Sequence, residues 1–108
     1  MASTFGNVIQ SGLGTTPTTV LTTANPGSTT VIGFSLTNTT GALVTASIQL
    51  NNGSTAAYFM NNIVIPANQS LRVVTGGEKL ILAASTAIIV TSSQASSLDV
   101  VISYVVIT

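Results

Sequence analysis

Apolar and polar residues alternate along most of this chain, and turn-forming residues interrupt the alternation about every ten residues. In residues 44–50 every even position is apolar and every odd position is polar, which suits one face to a core and the other to solvent. The same period in residues 30–38 places Ile32, Phe34 and Leu36 on one face. No window shows the period of a helix. The pattern predicts an all-β fold: an antiparallel β-sandwich, or a Greek-key or jelly-roll-like barrel, of about eight strands.

Asparagine and glycine mark several of the predicted connections. Asn52-Gly53 predicts a hairpin with a type I′ turn, because both residues tolerate left-handed backbone dihedrals. Gly76-Gly77 predicts a second hairpin, between strands at residues 69–75 and 79–83. Asn61-Asn62 lies within a predicted strand and indicates a bulge or a bend.

Charged side chains are scarce. They make up 4% of the residues and the formal net charge is zero, whereas about 25% is typical of a soluble domain. The chain therefore lacks the basic surface that binds nucleic acid. With 45% hydrophobic residues it can still form a core. A neutral surface of threonine, serine and asparagine promotes association between molecules.

The residue types that most active sites need are absent or isolated. The chain has no histidine and no cysteine, so it has no imidazole base, no thiolate and no disulfide. Glu78 and Asp99 are the only acids, too few for a supported glycosidase pair or a calcium site. Residues 12–16 lack the lysine of a phosphate-binding loop. We expect no enzymatic activity, no cofactor and no metal.

Two features indicate contacts with other subunits. Edge strands of monomeric sandwiches are usually guarded by lysine, proline or inward charges, and this chain has two basic residues. Residues 98–107 are apolar on both faces, which fits a central strand or a strand with one face against a partner. Residues 58–60 fit either the core or an interface anchor. The candidate interface residues are Phe5, Tyr58, Phe59, Met60, Arg72, Val101, Val105 and Ile107.

Five segments share a pattern of strands and turns: residues 29–38, 44–50, 65–71 with their Ile-Pro-Ala turn, 78–82 and 100–104. Together they resemble small β-sandwich virion proteins of tailed bacteriophages, of the capsid decoration (cement) type. The resemblance covers residues 15–108. Similar proteins often have a Gly-Asp turn after the Leu-x-Leu strand, where this chain has Ala84-Ser85-Thr86.

The resemblance implies a capsid decoration protein that binds the major capsid protein or other virion subunits and stabilises the phage head. It also implies a homo-oligomer, a trimer or dimer, with an extended N-terminal arm (1–17) before a single β-sandwich domain (18–108). A frayed terminus is the alternative to the arm. The other functions that fit are a neck, tail or fibre component of the virion, and a carbohydrate- or receptor-binding module.

The sequence also bears on location. The first residues have no positive segment followed by an apolar run, so we expect no signal peptide. No stretch approaches the roughly 18 apolar residues of a membrane span. We expect synthesis in a host cytoplasm and assembly into the virion, without a membrane or nucleic-acid partner.

Overall fold

β-Strands build the whole of the fold that the structure describes. A computed structural model describes residues 3–74 and 79–107. Within these ranges no helix is long and apolar enough to cross a bilayer. The strands are β1 (Ser3–Leu13), β2 (Thr18–Thr22), β3 (Ser28–Asn38), β4 (Val44–Asn51), β5 (Ala56–Ile65), β6 (Ser70–Val74), β7 (Leu80–Leu82), β8 (Ala87–Ser92) and β9 (Leu98–Ile107).

The strands form two antiparallel sheets that pack together. The five-stranded sheet has the order β1-β9-β3-β6, with β7 also paired to β3, and the four-stranded sheet has the order β2-β8-β4-β5. The antiparallel pairs are nested: β1 with β9, β2 with β8, β3 with β6 and β7, and β4 with β5. Nested pairs shared between two sheets are the arrangement of a jelly-roll sandwich. The all-β, antiparallel sandwich prediction is confirmed.

The core lies between the two sheets and follows the alternation of the sequence. On β4 the even positions from Val44 to Ile48 are buried, as the pattern predicts, and on β9 the residues Leu98, Val100 and Ile102 are buried opposite them. Each fully buried side chain of this size contributes about 1.5–3 kcal/mol relative to an exposed one. Apolar burial therefore holds the sheets together without a disulfide.

One predicted core position is wrong. The register between β3 and β9 shifts between Val31 and Gly33, and this bulge inserts a residue into the alternation. As a result Val31 is buried, whereas Ile32 is 39% exposed and does not share the core with Phe34 and Leu36.

A second correction concerns the connection between β6 and β7. Both strands run antiparallel to β3, β6 beside Phe34–Thr37 and β7 beside Thr29–Val31. β6 and β7 therefore run in the same direction and lie one after the other beside β3. Two strands of a hairpin run antiparallel, so the predicted pairing of these two strands is wrong. Gly76-Gly77 itself lies outside the described residues.

The hairpin between β4 and β5 is where Asn52-Gly53 predicts it, but its turn differs. Asn51 pairs with Ala56, and the Asn52 N–H donates to the Thr55 carbonyl at 3.1 Å, which makes a four-residue loop. Only Gly53 of the two signal residues has a left-handed φ, 95°. The hairpin is confirmed, and the type I′ turn is wrong.

Much of the segment expected as an arm forms a strand of this fold. β1 pairs with β9 from Ser3 to Gln10 in unbroken register, at the edge of the five-stranded sheet. Gly6 lies beneath the Tyr104 side chain. A Cβ at position 6 would come within 2.7 Å of Tyr104 atoms, so only glycine fits there without a shift. That residues 1–17 also pin the protein to a neighbouring subunit stays a prediction.

Candidate binding surface

The outer face of the five-stranded sheet carries exposed apolar side chains in cross-strand rows. Phe5 on β1 is opposite Val105 on β9, Val105 is opposite Thr30 on β3, and Thr30 is opposite Ile81 on β7. Phe5 is 76% exposed and Ile81 is 69% exposed. This row crosses four strands with apolar side chains at both ends.

A second row lies four residues further along β1. Ile9 is opposite Val101, Val101 is opposite Ser35, and Ser35 is opposite Arg72 on β6. Ile9 is 76% exposed and Val101 is 44% exposed. We call the apolar members of the two rows the outer band: Phe5, Ile9, Ile81, Val101 and Val105.

The size of this face is comparable with that of a protein interface. β9 has 10 residues, so the face measures about 33 Å along the strands and about 19 Å across four of them, or roughly 600 Å². A specific interface commonly takes about 800 Å² from each partner. Exposed apolar patches of a few hundred Å² on soluble proteins commonly mark interaction sites. The outer band therefore lies on a face large enough to dock a partner.

The structure brings five of the predicted interface residues together on this face. They are Phe5, Arg72, Val101, Val105 and Ile107. β9 is a central strand between β1 and β3, which is one of the two possibilities that its sequence left open, and its outer side chains remain at least partly exposed. That these residues contact another subunit stays a prediction.

The other three predicted residues lie on β5, in the four-stranded sheet. Phe59 and Met60 are half-buried and pack against the core. Tyr58 pairs with Gln49 on the outer face and is exposed. The aromatic rings at Phe5 and Tyr58 therefore lie on different sheets and do not form a shared platform.

The Asn61-Asn62 bulge is confirmed. The register of β4 with β5 shifts between Ala46 and Ile48, and Asn62 has φ 52°. The Ser47 hydroxyl holds the bulge, since it accepts from the Asn62 N–H at 3.0 Å and donates to the Asn61 Oδ1 at 3.3 Å. The bulge makes β5 an irregular edge.

Ionisable groups are few in the part of the chain that the structure describes. Among residues 3–74 and 79–107 no group of three or more His, Cys, Asp or Glu side chains could hold a metal. Asp99 accepts a hydrogen bond from the Gly12 N–H at 3.2 Å, and Lys79 is exposed. An open depression of about 380 Å³ is lined by neutral residues from the end of β1, the β1–β2 connection and the start of β2, and by Ala95 and Ser96.

Two members of the outer band, Ile9 and Ile81, are not among the interface residues that the sequence predicts. Ile9 shares the odd positions of β1 with Phe5, and this period could have identified it. Ile81 has no such signal, because it lies beside Thr30 only through the pairing of β7 with β3, which the local sequence does not indicate.

Comparisons with known proteins establish the fold. No model of a known protein family matches the chain, and no curated protein is similar to it in sequence. A chain of the Bacillus endospore appendages, described as a novel family of disulfide-linked pili, has a TM-score of 0.61 at 14% identity, over 98% of this chain and 88% of that one. A chain of the acid-stable capsid of Helicobacter pylori bacteriophage KHP30 has a TM-score of 0.57 at 7% identity, over 99% and 89%.

A third solved structure is less similar in shape. A pentameric capsid protein isolated from metagenomic phage sequences has a TM-score of 0.48 at 26% identity, over 90% of this chain and 59% of that one. The TM-scores of the first two establish a shared fold, and at 14% and 7% identity they establish nothing finer.

Proposed function

We propose that this chain is a non-enzymatic structural protein of a phage virion, of the capsid decoration (cement) type. It binds the major capsid protein or neighbouring virion subunits and stabilises the head. The observation that carries the proposal is the outer band, a set of apolar side chains on the outer face of one sheet of a nearly uncharged protein. Its location in the virion is part of the same proposal.

The mechanism rests on binding free energy alone. A subunit that binds the closed shell and not its separated parts stabilises the shell by mass action. Docking removes the outer band from water, at about 25 cal/mol for each Å² of apolar surface. The sandwich needs no rearrangement for this contact, since four of the five side chains of the outer band are already exposed on paired strands and Val105 is partly exposed.

The two similar folds support an assembly role, because one is described as a capsid and the other as a pilus. Disulfide linkage, which is named for the pili, is not open to this chain, since it has no cysteine. Its contacts therefore form without disulfides.

The proposal is tested on the phage that encodes the chain. Heads lacking the protein are prepared by deleting its gene, purified protein is added, and bound protein and the temperature of head rupture are measured. We expect wild-type protein to bind and to raise the rupture temperature. Ile81→Lys should abolish binding, because it places a charge in the outer band.

Leu43→Lys is the matched control. Leu43 is 63% exposed, close to the 69% of Ile81, but lies in the β3–β4 connection. This variant should bind like the wild type. Equal loss with both variants, or no binding by the wild type, would refute the proposal.

A neck, tail or fibre component is the second candidate. The free edge of β1 favours it, because β1 has 11 residues and contains neither a charge nor a proline. Gold-labelled antibody bound at the neck or tail of intact virions, with none on the head, would support this candidate.

A further inference from the structure

We propose that two copies of this chain pair antiparallel through the free edge of β1, about a two-fold axis at Asn7. The pairing joins two five-stranded sheets into one continuous sheet. The inference goes beyond the proposed function, because it specifies how the chain contacts itself and holds whatever larger assembly it joins.

β1 provides the free edge that this pairing requires. It is the first strand of the sheet and pairs only with β9 in the part of the chain that the structure describes. Residues Ser3 to Gln10 keep an unbroken register with β9, so the strand is regular. Edge strands usually prevent further pairing by lysine, proline or a bulge, and this stretch contains none of them.

The other edges are less suited to pairing. β2 and β6 have 5 residues each and β7 has 3. β5 is long, but its register is broken at two places and Asn62 has a left-handed φ. A bulge of this kind twists an edge away from a second strand.

The side chains of β1 select one register. Pairing about Asn7 places Phe5 opposite Ile9 of the second copy, and Ile9 opposite Phe5 of the second copy. Both side chains are 76% exposed and lie on the same face. Cross-strand apolar pairs of this kind are the unit of stabilisation of a sheet.

Neighbouring registers lose these pairs. An axis at Gly6 would place Phe5 opposite Asn7, and an axis at Val8 would place Ile9 opposite Asn7. A slip of one strand by a single residue would place outer side chains of one copy opposite inner side chains of the other. The axis at Asn7 alone among these matches both large apolar residues.

The inner face accepts the same register. Val8 would lie opposite Gly6 of the second copy, which has no side chain and is covered by the Tyr104 ring. Val8 is already half-buried against the core. Pairing over Ser3 to Ser11 would form about eight to ten backbone hydrogen bonds between the copies. It would also bring the outer bands of the two copies side by side.

Cysteine cross-linking tests the axis directly, because the chain contains no cysteine. In Asn7→Cys the two thiols would face each other across the axis. Paired residues have Cα atoms about 4.5–5.5 Å apart, within the range of a disulfide. In the control Ser11→Cys the two thiols would lie about 27 Å apart, eight residues along the strands.

We expect Asn7→Cys to form a covalent dimer under mild oxidation roughly tenfold faster than Ser11→Cys, because pairing raises the local thiol concentration. Light scattering of the wild type should show a mass that rises to twice the monomer with concentration. Equal cross-linking of the two variants, or a wild-type monomer at all concentrations, would overturn the proposal.

A pair of charge variants tests the register separately. Phe5→Glu with Ile9→Glu would place like charges opposite each other and should give a monomer. Phe5→Lys with Ile9→Glu loses the same apolar surface but places opposite charges together, and should restore the dimer. Identical masses for the two double variants, with both folded by circular dichroism, would refute the register.

These experiments use the isolated protein and are independent of the head-binding test. A dimer that leaves the rupture temperature of heads unchanged would refute the cement role and keep the β1 pairing. A monomer that still stabilises heads would refute the pairing and keep the cement role.

Discussion

Asn38 shows how one polar side chain closes an end of the sandwich. It is fully buried at the end of β3. Its Nδ2 donates to the carbonyls of Ala42 at 2.8 Å and Ile65 at 3.0 Å, and its Oδ1 accepts from the Thr40 N–H at 2.9 Å. The side chain therefore joins the β3–β4 connection to the end of β5.

The sequence predicts only part of this arrangement. Asn38 occupies the same alternate positions as Phe34 and Leu36, which could have indicated that it faces the core. The carbonyl of Ile65 is 27 residues away in sequence, and no local pattern identifies such a partner.

Asn38→Asp should destabilise the protein by about 2–4 kcal/mol, because it buries a carboxylate and removes both amide donors. Urea unfolding near neutral pH measures the change. The control is Asn52→Asp, an exposed turn residue whose Oδ1 accepts from Ser54 and Thr55 N–H groups, as a carboxylate also can. If both variants lost equal stability, Asn38 would not have the role that its contacts indicate.

At the scale of elements, alternation and turn residues predict where strands lie but not which strands become neighbours. The prediction for residues 98–107 matches β9 to the residue. The prediction for β6 and β7 gives two strands in nearly the right places with the wrong partner, since both pair with β3. Alternation assigns a side chain to a face, whereas pairing depends on contacts across the whole chain.

The attachment of β1 to β9 depends on the absence of a side chain at position 6. Gly6→Ala should cost about 1–3 kcal/mol, because its Cβ would overlap the Tyr104 ring. Gly33→Ala is a matched strand control, since its nearest atom, the Ser103 Cβ, is 3.9 Å away. Thermal unfolding and hydrogen exchange of the β1 amides measure the effect.

A double-mutant cycle identifies the cause. In a Tyr104→Ala background the ring is absent, so Gly6→Ala should cost little. If the cost were the same in both backgrounds, contact with the ring would not be its origin.

At the scale of the whole molecule, the surface combines an exposed apolar face with almost no charge. Four charged residues in 108 leave little for salt to screen. The chain has no histidine, the side chain whose charge ordinarily changes near neutral pH. Composition alone predicts this property, whereas the position of the outer band depends on the fold.

Self-association should therefore change little between about 0.05 and 0.5 M sodium chloride and between about pH 5.5 and 7, below the range in which an α-amino group loses its charge. Ammonium sulfate should strengthen it, because excluded salts favour apolar burial. Sedimentation velocity across these conditions measures the dissociation constant. A marked weakening by sodium chloride would mean that ion pairs, and not apolar contacts, hold the copies together.

The central position of β9 also affects how the chain folds. β9 is the last strand in chain order, yet it lies between β1 and β3 and pairs with both along most of its length. During synthesis the five-stranded sheet therefore cannot close until β9 leaves the ribosome. Until then β1 and β3 lack their shared neighbour, and their apolar residues stay open to off-pathway contacts. Closing contacts between strands so far apart in sequence is slow, so the five-stranded sheet closes late in folding.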